Sequence, residues 1–262
     1  MANQQTKTTN HRQRAEASTE WGLKAFDKGW NVLPLSETGT PKNGLIGCKG
    51  VMMKDWPRVE ITREPVQSFP GQGRGLRLGK QRDGTIVGAM DFDIPSEDAA
   101  AKAWKLCVKL FGKERAHAML IREGRAAKFC VLFQTDGEDR AFRSPYYDRG
   151  DDEEARLEVF LNAGNQIGAQ GVHSIYADTR DPAILYSWDG PDPTEVAPAD
   201  LPMITKAELS RFLLLFGDMM EADGWTARKM YDGVGSEVPV AYDLPPEVEA
   251  MVKGMDSGAR IR

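Results

Sequence analysis

The chain has 262 residues, of which 41% are hydrophobic and 28% charged, and its formal net charge is -5 at pH 7. This composition is typical of a globular protein with enough residues for one large domain or two small ones. The negative charge argues mildly against a surface that coats nucleic acid throughout, although it leaves room for a local basic groove.

The chain carries no sign of membrane insertion or secretion. No apolar run approaches the length of about 18 residues that a spanning helix needs. The polar N-terminus lacks the apolar segment of a secretory signal, so we expect a cytoplasmic protein, in a host cell if the gene belongs to a phage. The three cysteines, Cys48, Cys107 and Cys130, are odd in number and far apart in sequence. This spacing favours three reduced thiols over a disulfide framework or a zinc site.

The N-terminal third of the chain predicts one helix, one strand and a long loop. Residues 1–17 have no apolar period and are expected to form a disordered tail. Ser18–Lys28 predicts a short amphipathic helix that ends at Gly29. A strand is expected at residues 30–35, followed by a Gly-, Thr- and Lys-rich loop over residues 36–54.

Further along, the apolar and β-branched run Thr85–Phe92 predicts a buried central strand. A helix capped by Ser96 should follow it as far as Phe111, and a strongly amphipathic helix is predicted at Thr205–Ala222. Other predictions are helices at residues 60–69 and 245–255 and strands at residues 75–78, 118–122, 128–134, 155–161, 166–168, 174–178 and 184–188. Because strands and helices do not alternate regularly, the pattern favours an α+β fold with antiparallel or mixed sheets.

The residues with the clearest chemistry end the central strand. Asp91 and Asp93 are two positions apart, so both carboxylates should point to one face while Phe92 points to the core. Two carboxylates held so close repel each other unless a cation lies between them, and oxygen ligands suit Mg²⁺ or Mn²⁺. The alternative is an ordinary pair of strand-end aspartates that begins the turn toward the Ser96 helix.

Glu158 is the best candidate for a third acid. It is a lone carboxylate inside the apolar segment Leu157–Phe160, and a buried carboxylate without a partner costs several kcal/mol. It should therefore face a cation. The alternative is simple alternation, in which Glu158 and Arg156 share a polar, solvent-facing side of the strand.

Basic residues and a histidine are candidates for nucleotide binding. Arg122 and Lys128 flank Gly124 in a turn between two apolar segments, and Arg and Lys are the side chains that triphosphates require. His173 lies in a stretch of small residues, where the backbone can approach a ligand. The alternative for the turn is a solvated basic hairpin loop.

The order of these segments resembles the N-terminal domain of bifunctional DNA primase-polymerases, in the archaeo-eukaryotic primase superfamily. The matching pieces lie within residues 18–205 and are closest to the versions found in phage and prophage replication genes. They are Gly29–Leu35, Pro41-Lys42, Trp56, Gly75–Gly79, Asp91-x-Asp93, Arg122-x-Gly124-x-x-x-Lys128, Glu158, Gly171-Val172-His173 and Tyr186-x-Trp188. Many members of the family have a histidine where this chain has Lys128.

The resemblance implies an RRM-like antiparallel sheet packed with an N-terminal αβ unit, with the active site in the cleft between them. It implies that Asp91, Asp93 and Glu158 hold two Mg²⁺ or Mn²⁺ ions, one to activate a 3′-hydroxyl and one to stabilise the leaving pyrophosphate. The triphosphate contacts that it implies are Arg122, Gly124, Lys128, His173 and Lys42. The expected partners are a single-stranded DNA template, nucleoside triphosphates and a separate replicative helicase, because no Walker A sequence is present.

The expected division is therefore a disordered tail at residues 1–17, a catalytic domain at residues 18–205 and a helical extension at residues 206–262. Two other functions stay open at this point. One is a non-catalytic replication-initiation or nucleic-acid-binding module that retains the primase fold. The other is a different metal-dependent phosphoryl-transfer enzyme, such as a nuclease, which would cut DNA without added triphosphates.

Overall fold

The computed structural model describes residues 2–42, 44–69, 73–125, 127–139, 141–150, 153–179 and 182–228. Within these ranges the helices are α1 (Ala2–Asp27), α2 (Arg63–Ser68), α3 (Glu97–Phe111), α4 (Lys113–Ala118) and α5 (Lys206–Ala222), with a 3₁₀ turn at Pro198–Asp200. The strands are β1 (Val32–Lys42), β2 (Leu45–Val51), β3 (Gly73–Arg77), β4 (Gly79–Lys80), β5 (Ile86–Asp93), β6 (Leu120–Glu123), β7 (Phe129–Gln134), β8 (Phe142–Arg143), β9 (Tyr147–Asp148), β10 (Glu154–Phe160), β11 (Gln166–Tyr176), β12 (Pro182–Leu185), β13 (Ser187–Asp189) and β14 (Thr226–Ala227). The fold is α+β with antiparallel sheets, as the sequence predicted.

The larger sheet follows the order β13-β6-β7-β5-β10-β9-β14, with β4 paired to β5 and β8 paired to β10. Its strand pairs are antiparallel. The chain leaves β5, passes through α3 and α4, and returns as β6, yet β7 lies between β5 and β6. This arrangement is a split β-α-β unit.

The smaller sheet closes on itself through an additional strand pairing. Its order is β12-β11-β2-β1-β3, and β11 also pairs with β3. The first half of β11 pairs with β3 and its last residues pair with β2, so β1, β2, β3 and β11 form a closed ring of pairings. Gly171 has a φ of 87° within β11, which lets the strand change direction between the two partners.

One hydrophobic core lies between the larger sheet and the helices α3 and α5. Phe92 of β5 stacks on Phe129 of β7 with ring centroids 4.3 Å apart, and it meets the edges of Phe212 and Phe216 of α5. Helix α5 therefore packs into the same core as the central strand, which agrees with the burial that its apolar face requires.

A second core lies on the opposite face of the larger sheet. Val87 and Ala89 of β5 and Leu132 of β7 pack there with Leu76 of the smaller sheet, Phe26 of α1 and Trp30, which lies between α1 and β1. Because side chains alternate along a strand, Asp91 and Asp93 belong to this face, where the two sheets meet. The burial alternates accordingly, since Phe92 is fully buried and its two neighbours are only partly buried.

The predicted Ser96 cap is present, and α5 also begins with a cap, which was not predicted. The Ser96 side chain accepts a hydrogen bond from the Ala99 amide at the start of α3. Thr205 and Glu208 form a capping box at the start of α5, in which each side chain bonds to the other residue's backbone N–H. Gly29 follows α1 with a φ of 107°, a value that favours glycine over other residues.

The prediction of a loop at residues 36–54 is wrong. Most of this segment belongs to β1 and β2, which pair as an antiparallel hairpin. Its composition of Gly, Thr and Lys favours loops, but Ile46 and Cys48 alternate with more exposed residues and are buried against β11. Tertiary pairing outweighs the weak local preference, as is common for strands.

The disordered tail predicted at residues 1–17 differs from the structure, in which α1 begins at Ala2. A helix that is already nucleated by its packed C-terminal part gains one hydrogen bond for each residue added, so a polar segment can extend it. The three-part domain division itself stays a prediction. The helix predicted at residues 245–255 lies outside the described residues.

No helix in the described part of the chain is both long enough and apolar enough to cross a membrane. The three cysteines are all free and buried, which agrees with the prediction of reduced thiols.

Candidate metal centre

The three predicted acidic residues meet on the face of β5 and β10 that borders the smaller sheet. In the antiparallel register of these strands, Asp91 lies directly opposite Glu158. Asp93 shares their face because it is two residues from Asp91. A carboxylate oxygen from each of the three residues lies within 4.8 Å of one from each of the others, and all three side chains are partly buried.

Two basic residues contact the aspartates. Arg122 of β6 reaches across β7 and places its Nη2 3.4 Å from Oδ1 of Asp91. Lys128, just before β7, places its Nζ 3.0 Å from Oδ1 of Asp93. Arg122 and Lys128, the two ends of the predicted basic turn, thus border the acidic cluster. A fully solvated hairpin loop, the alternative interpretation, does not explain these contacts.

Two arginines that the sequence analysis did not assign to the site contact Glu158. Arg156 Nη2 lies 2.7 Å and Arg143 Nε 2.8 Å from Glu158 Oε1. Each of the two hypotheses for Glu158 is partly confirmed. Arg156 shares the face of the strand on which Glu158 lies, and Glu158 also lies beside the two aspartates. Within the described part of the chain, four basic side chains therefore contact the three carboxylates.

The surroundings raise the pKa values of two of the acids, Asp91 and Glu158. Burial raises the pKa of the Asp91 carboxyl and Asp93 raises it further, while Arg122 opposes both effects. Burial also raises the pKa of Glu158, which Arg156 and Arg143 lower and the two aspartates raise. A carboxylate cluster with raised pKa values gains stability from a cation, since a cation favours the ionised form of each member.

A polar wall adjoins the acids on the side of the smaller sheet. His173 of β11 lies beside Tyr186, with ring centroids 5.2 Å apart, and the Arg122 guanidinium carbon lies 5.1 Å from the Tyr186 ring centroid. Gly124 borders this group, because a Cβ there would lie 3.2 Å from both Arg122 Nη1 and His173 Cδ2. The sequence named three of these four residues, and Tyr186 only as part of a family motif.

The wall contains buried polar atoms without a partner among the described residues. They are Arg122 Nε, His173 Nδ1 and the Tyr186 hydroxyl. Burial lowers the pKa of His173 to about 4, with Lys49 and Arg122 contributing, so its ring is neutral at pH 7. Unsatisfied groups of this kind cost free energy in the free protein and are suited to receive the polar groups of a ligand.

Other residues complete the surroundings. Cys130 of β7 is opposite Asp91 on one side and Arg122 on the other, and burial raises the pKa of its thiol to about 12. Lys49 of β2 is close enough to act on the charges of Asp91 and His173, and the sequence analysis missed it because it fell in the segment taken for a loop. Lys42 ends β1, and its side chain lies outside what the structure describes.

No protein-family model matches this chain, and no curated protein sequence matches it. The function of the site must therefore be inferred from its geometry. Three carboxylates from two neighbouring strands can hold a metal ion, and oxygen ligands select hard cations such as Mg²⁺, Mn²⁺ or Ca²⁺ over soft ones.

Proposed function

We propose that the protein is a template-dependent nucleotidyltransferase, a DNA primase or polymerase of phage or plasmid type, that acts with two Mg²⁺ or Mn²⁺ ions. The observation that carries the proposal is the convergence of Asp91, Asp93 and Glu158 next to a wall of basic and polar side chains. Nucleotidyl transfer needs both features side by side. The acids hold the cations, and the basic wall holds the triphosphate.

The acidic residues fit the ions that the proposal requires. Each of the three offers a carboxylate oxygen, the oxygens lie within 4.8 Å of one another, and burial raises the pKa values of Asp91 and Glu158. When bound, the ions supply activation of the attacking hydroxyl and charge neutralisation at the leaving pyrophosphate. The carboxylates position them because the pairing of β5 with β10 fixes the backbone beneath all three.

The polar wall and the neighbouring Lys128 fit a triphosphate. Arg122 is only 6% exposed and its Nε has no partner among the described residues, so it can donate to a phosphate oxygen without first losing contacts to water. A neutral His173 can donate one hydrogen bond through its N–H. Gly124 has no Cβ, which would otherwise lie 3.2 Å from both Arg122 and His173. Lys128, which contacts Asp93, adds a further positive charge next to the acids.

The strand order also supports the proposal. The strands β10-β5-β7-β6, joined through α3 and α4, have the order of the split β-α-β sheet of RRM-like folds. The second helix of that fold is absent here between β7 and β10, where the chain forms β8 and β9 in the residues that the structure describes. The acids lie on the face of this sheet that borders the smaller sheet. The primase resemblance implies an active site between two such units, so this position supports the proposal.

One observation favours a second candidate, a non-catalytic replication module that keeps the fold. Arg122, Lys128, Arg143 and Arg156 already contact the three acids. The cluster is therefore balanced in charge without a metal, as a purely structural ion-pair network would be. This candidate predicts nucleic-acid binding with neither metal-dependent stabilisation nor synthesis.

The deciding experiment is primer synthesis and extension on single-stranded DNA with labelled nucleotides and Mg²⁺ or Mn²⁺. We expect products from the wild-type protein and none from Asp91→Asn/Asp93→Asn. The matched control is Glu114→Gln, which removes a charge from an exposed position of α4 and should leave synthesis unchanged. Thermal unfolding with added Mn²⁺ provides a second measurement, because an ion at a hundred times its Kd stabilises the folded state by about 2.7 kcal/mol.

Each other outcome identifies a different function. Intact DNA binding without synthesis, and without a shift in melting temperature on addition of Mn²⁺, would support the non-catalytic module. Metal-dependent cleavage of DNA in the absence of triphosphates would support a nuclease. Synthesis by the double aspartate variant would place the catalytic centre elsewhere in the protein.

A further inference from the structure

A surface tyrosine lies next to the acidic cluster and has no part in the chemistry proposed above. Tyr146, between β8 and β9, is 37% exposed and is one of five large apolar or aromatic side chains that are exposed among the described residues. The next residue, Tyr147, is buried in the core beneath α5. The chain thus holds the backbone of Tyr146 in place while its ring is partly exposed to the solvent, with the Arg228 guanidinium carbon 5.8 Å from the ring centroid.

A single guanidinium joins this ring to the acids. Arg156 Nη1 donates to the Tyr146 hydroxyl, and Arg156 Nη2 donates to Glu158 Oε1 at 2.7 Å. The Arg156 guanidinium carbon also lies 4.6 Å from the centroid of the Tyr146 ring. Tyr146 is therefore one side chain away from the metal centre and is held there by a residue whose own side chain is only 13% exposed.

An exposed arginine accompanies the ring. Arg143 of β8 places its Nε 2.8 Å from Glu158 Oε1, while 53% of its side chain remains exposed to the solvent. Arginine donors beside an exposed aromatic ring are the combination with which proteins bind single strands, because bases stack on the ring and phosphates contact the arginine. An apolar protein partner fits less well, since polar or charged groups surround the ring.

We propose that Tyr146, Arg143 and Arg156 form a strand-binding surface, which holds one nucleotide of a single-stranded nucleic acid immediately beside the metal centre. The base would stack on Tyr146, and the adjacent phosphate would contact Arg143. Arg156 positions the ring. The choice of a nucleic acid as partner rests on the proposed function, but the surface itself is defined by contacts that do not involve catalysis.

The test is the affinity for a short labelled oligothymidylate, measured by fluorescence anisotropy without divalent ions and without nucleoside triphosphates. Tyr146→Ala should weaken binding roughly tenfold, since stacking on one aromatic ring contributes about that much per base. The matched control is Tyr176→Ala, which removes a tyrosine that is 49% exposed at the end of β11 in the smaller sheet. It should bind as the wild type does.

Two further variants separate stacking from charge. Tyr146→Phe keeps the ring and loses only the bond to Arg156, so it should bind nearly as well as the wild type. Arg143→Gln should reduce the slope of log K against log salt by about 0.7, the value for one phosphate contact to a single strand. Tyr146→Ala should change the affinity at every salt concentration and leave the slope unchanged.

Several results would overturn the inference. They are equal binding by Tyr146→Ala and wild type, equal losses for Tyr146→Phe and Tyr146→Ala, and no binding of the oligonucleotide by the wild type. Thermal unfolding of each variant shows whether it is folded. Because the assay contains no metal or triphosphate, the strand-binding surface can fail while synthesis persists, and the proposed catalysis can fail while Tyr146→Ala still loses affinity.

Discussion

Replacing Gly168 by alanine would test how the polar wall is packed. Gly168 is buried in β11, and a Cβ at this position would lie 2.1 Å from the Tyr186 hydroxyl oxygen and 2.3 Å from its Cζ. Carbon and oxygen atoms that are not bonded do not approach so closely, so the ring must move. Tyr186 is only 9% exposed and lies against His173 and Arg122, which would have to move with it.

The overlap with Tyr186 should lower the stability of the folded protein. Adding a methyl group to a well-packed region costs about 1–3 kcal/mol. For a domain of 150–250 residues each kcal/mol lowers the melting temperature by about 2–4 °C, so Gly168→Ala should melt roughly 2–12 °C below the wild type. Thermal and denaturant unfolding followed by circular dichroism both measure this.

The matched control is Gly137→Ala. A Cβ at Gly137 would lie 3.6 Å from Lys206 Nζ, which is an ordinary contact, so the substitution should be neutral or stabilise by about 0.4–1 kcal/mol. In a Tyr186→Ala background the Gly168→Ala change should lose most of its cost, because the clashing ring is gone. Two results would refute the described position of Tyr186. One is an equal melting temperature for Gly168→Ala and Gly137→Ala. The other is a Gly168→Ala/Tyr186→Ala variant whose loss in free energy of unfolding equals the sum of the two single losses.

Two further predictions concern titration and thiol reactivity. Burial lowers the pKa of His173 from 6.5 to about 4, so between these values the unfolded chain binds a proton that the folded protein does not. Stability should therefore fall as the pH is lowered across this window. This part of the fall should be absent from His173→Gln, as denaturant unfolding at a series of pH values would show, whereas parallel profiles would contradict it. Cys48, Cys107 and Cys130 are each 0% exposed, and burial raises their thiol pKa values, so a thiol reagent should label none in the native protein and all three in denaturant. Rapid labelling of one thiol in the native protein would contradict this.

The sequence was most informative where local chemistry determines local structure. The strand before Asp91 was predicted from its apolar run, and the Ser96 cap from its hydroxyl before a helical segment. These features depend on a few neighbouring residues. The convergence of Glu158 with the aspartates was predicted from a physical cost, because an unpaired carboxylate in an apolar strand is too unfavourable to leave without a partner.

The sequence was least informative where one residue connects two sheets. Residues 184–188 were predicted as one strand, but Tyr186 separates β12 in the smaller sheet from β13 in the larger one. The Tyr186 amide bonds to the Gly171 carbonyl, and Trp188 Nε1 bonds to the Ala169 carbonyl, so β11 determines where the chain crosses. No local pattern reveals such a crossing. The roles of Arg143 and Lys49 were missed for the same reason, since each joins the site through tertiary pairing.

The charges of the site resolve the apparent conflict between a net charge of -5 and a polyanionic substrate. The three acids of the cluster contact four basic side chains, so the site itself is not acidic in sum. Under the proposed function, cations bound by the carboxylates would free the basic residues from their present partners. Cation binding and phosphate binding must then strengthen each other by the same factor, because coupling between two ligands is reciprocal. A structural ion-pair network predicts no such coupling, so the affinity for a triphosphate with and without Mn²⁺ distinguishes the two interpretations even if no synthesis is detected.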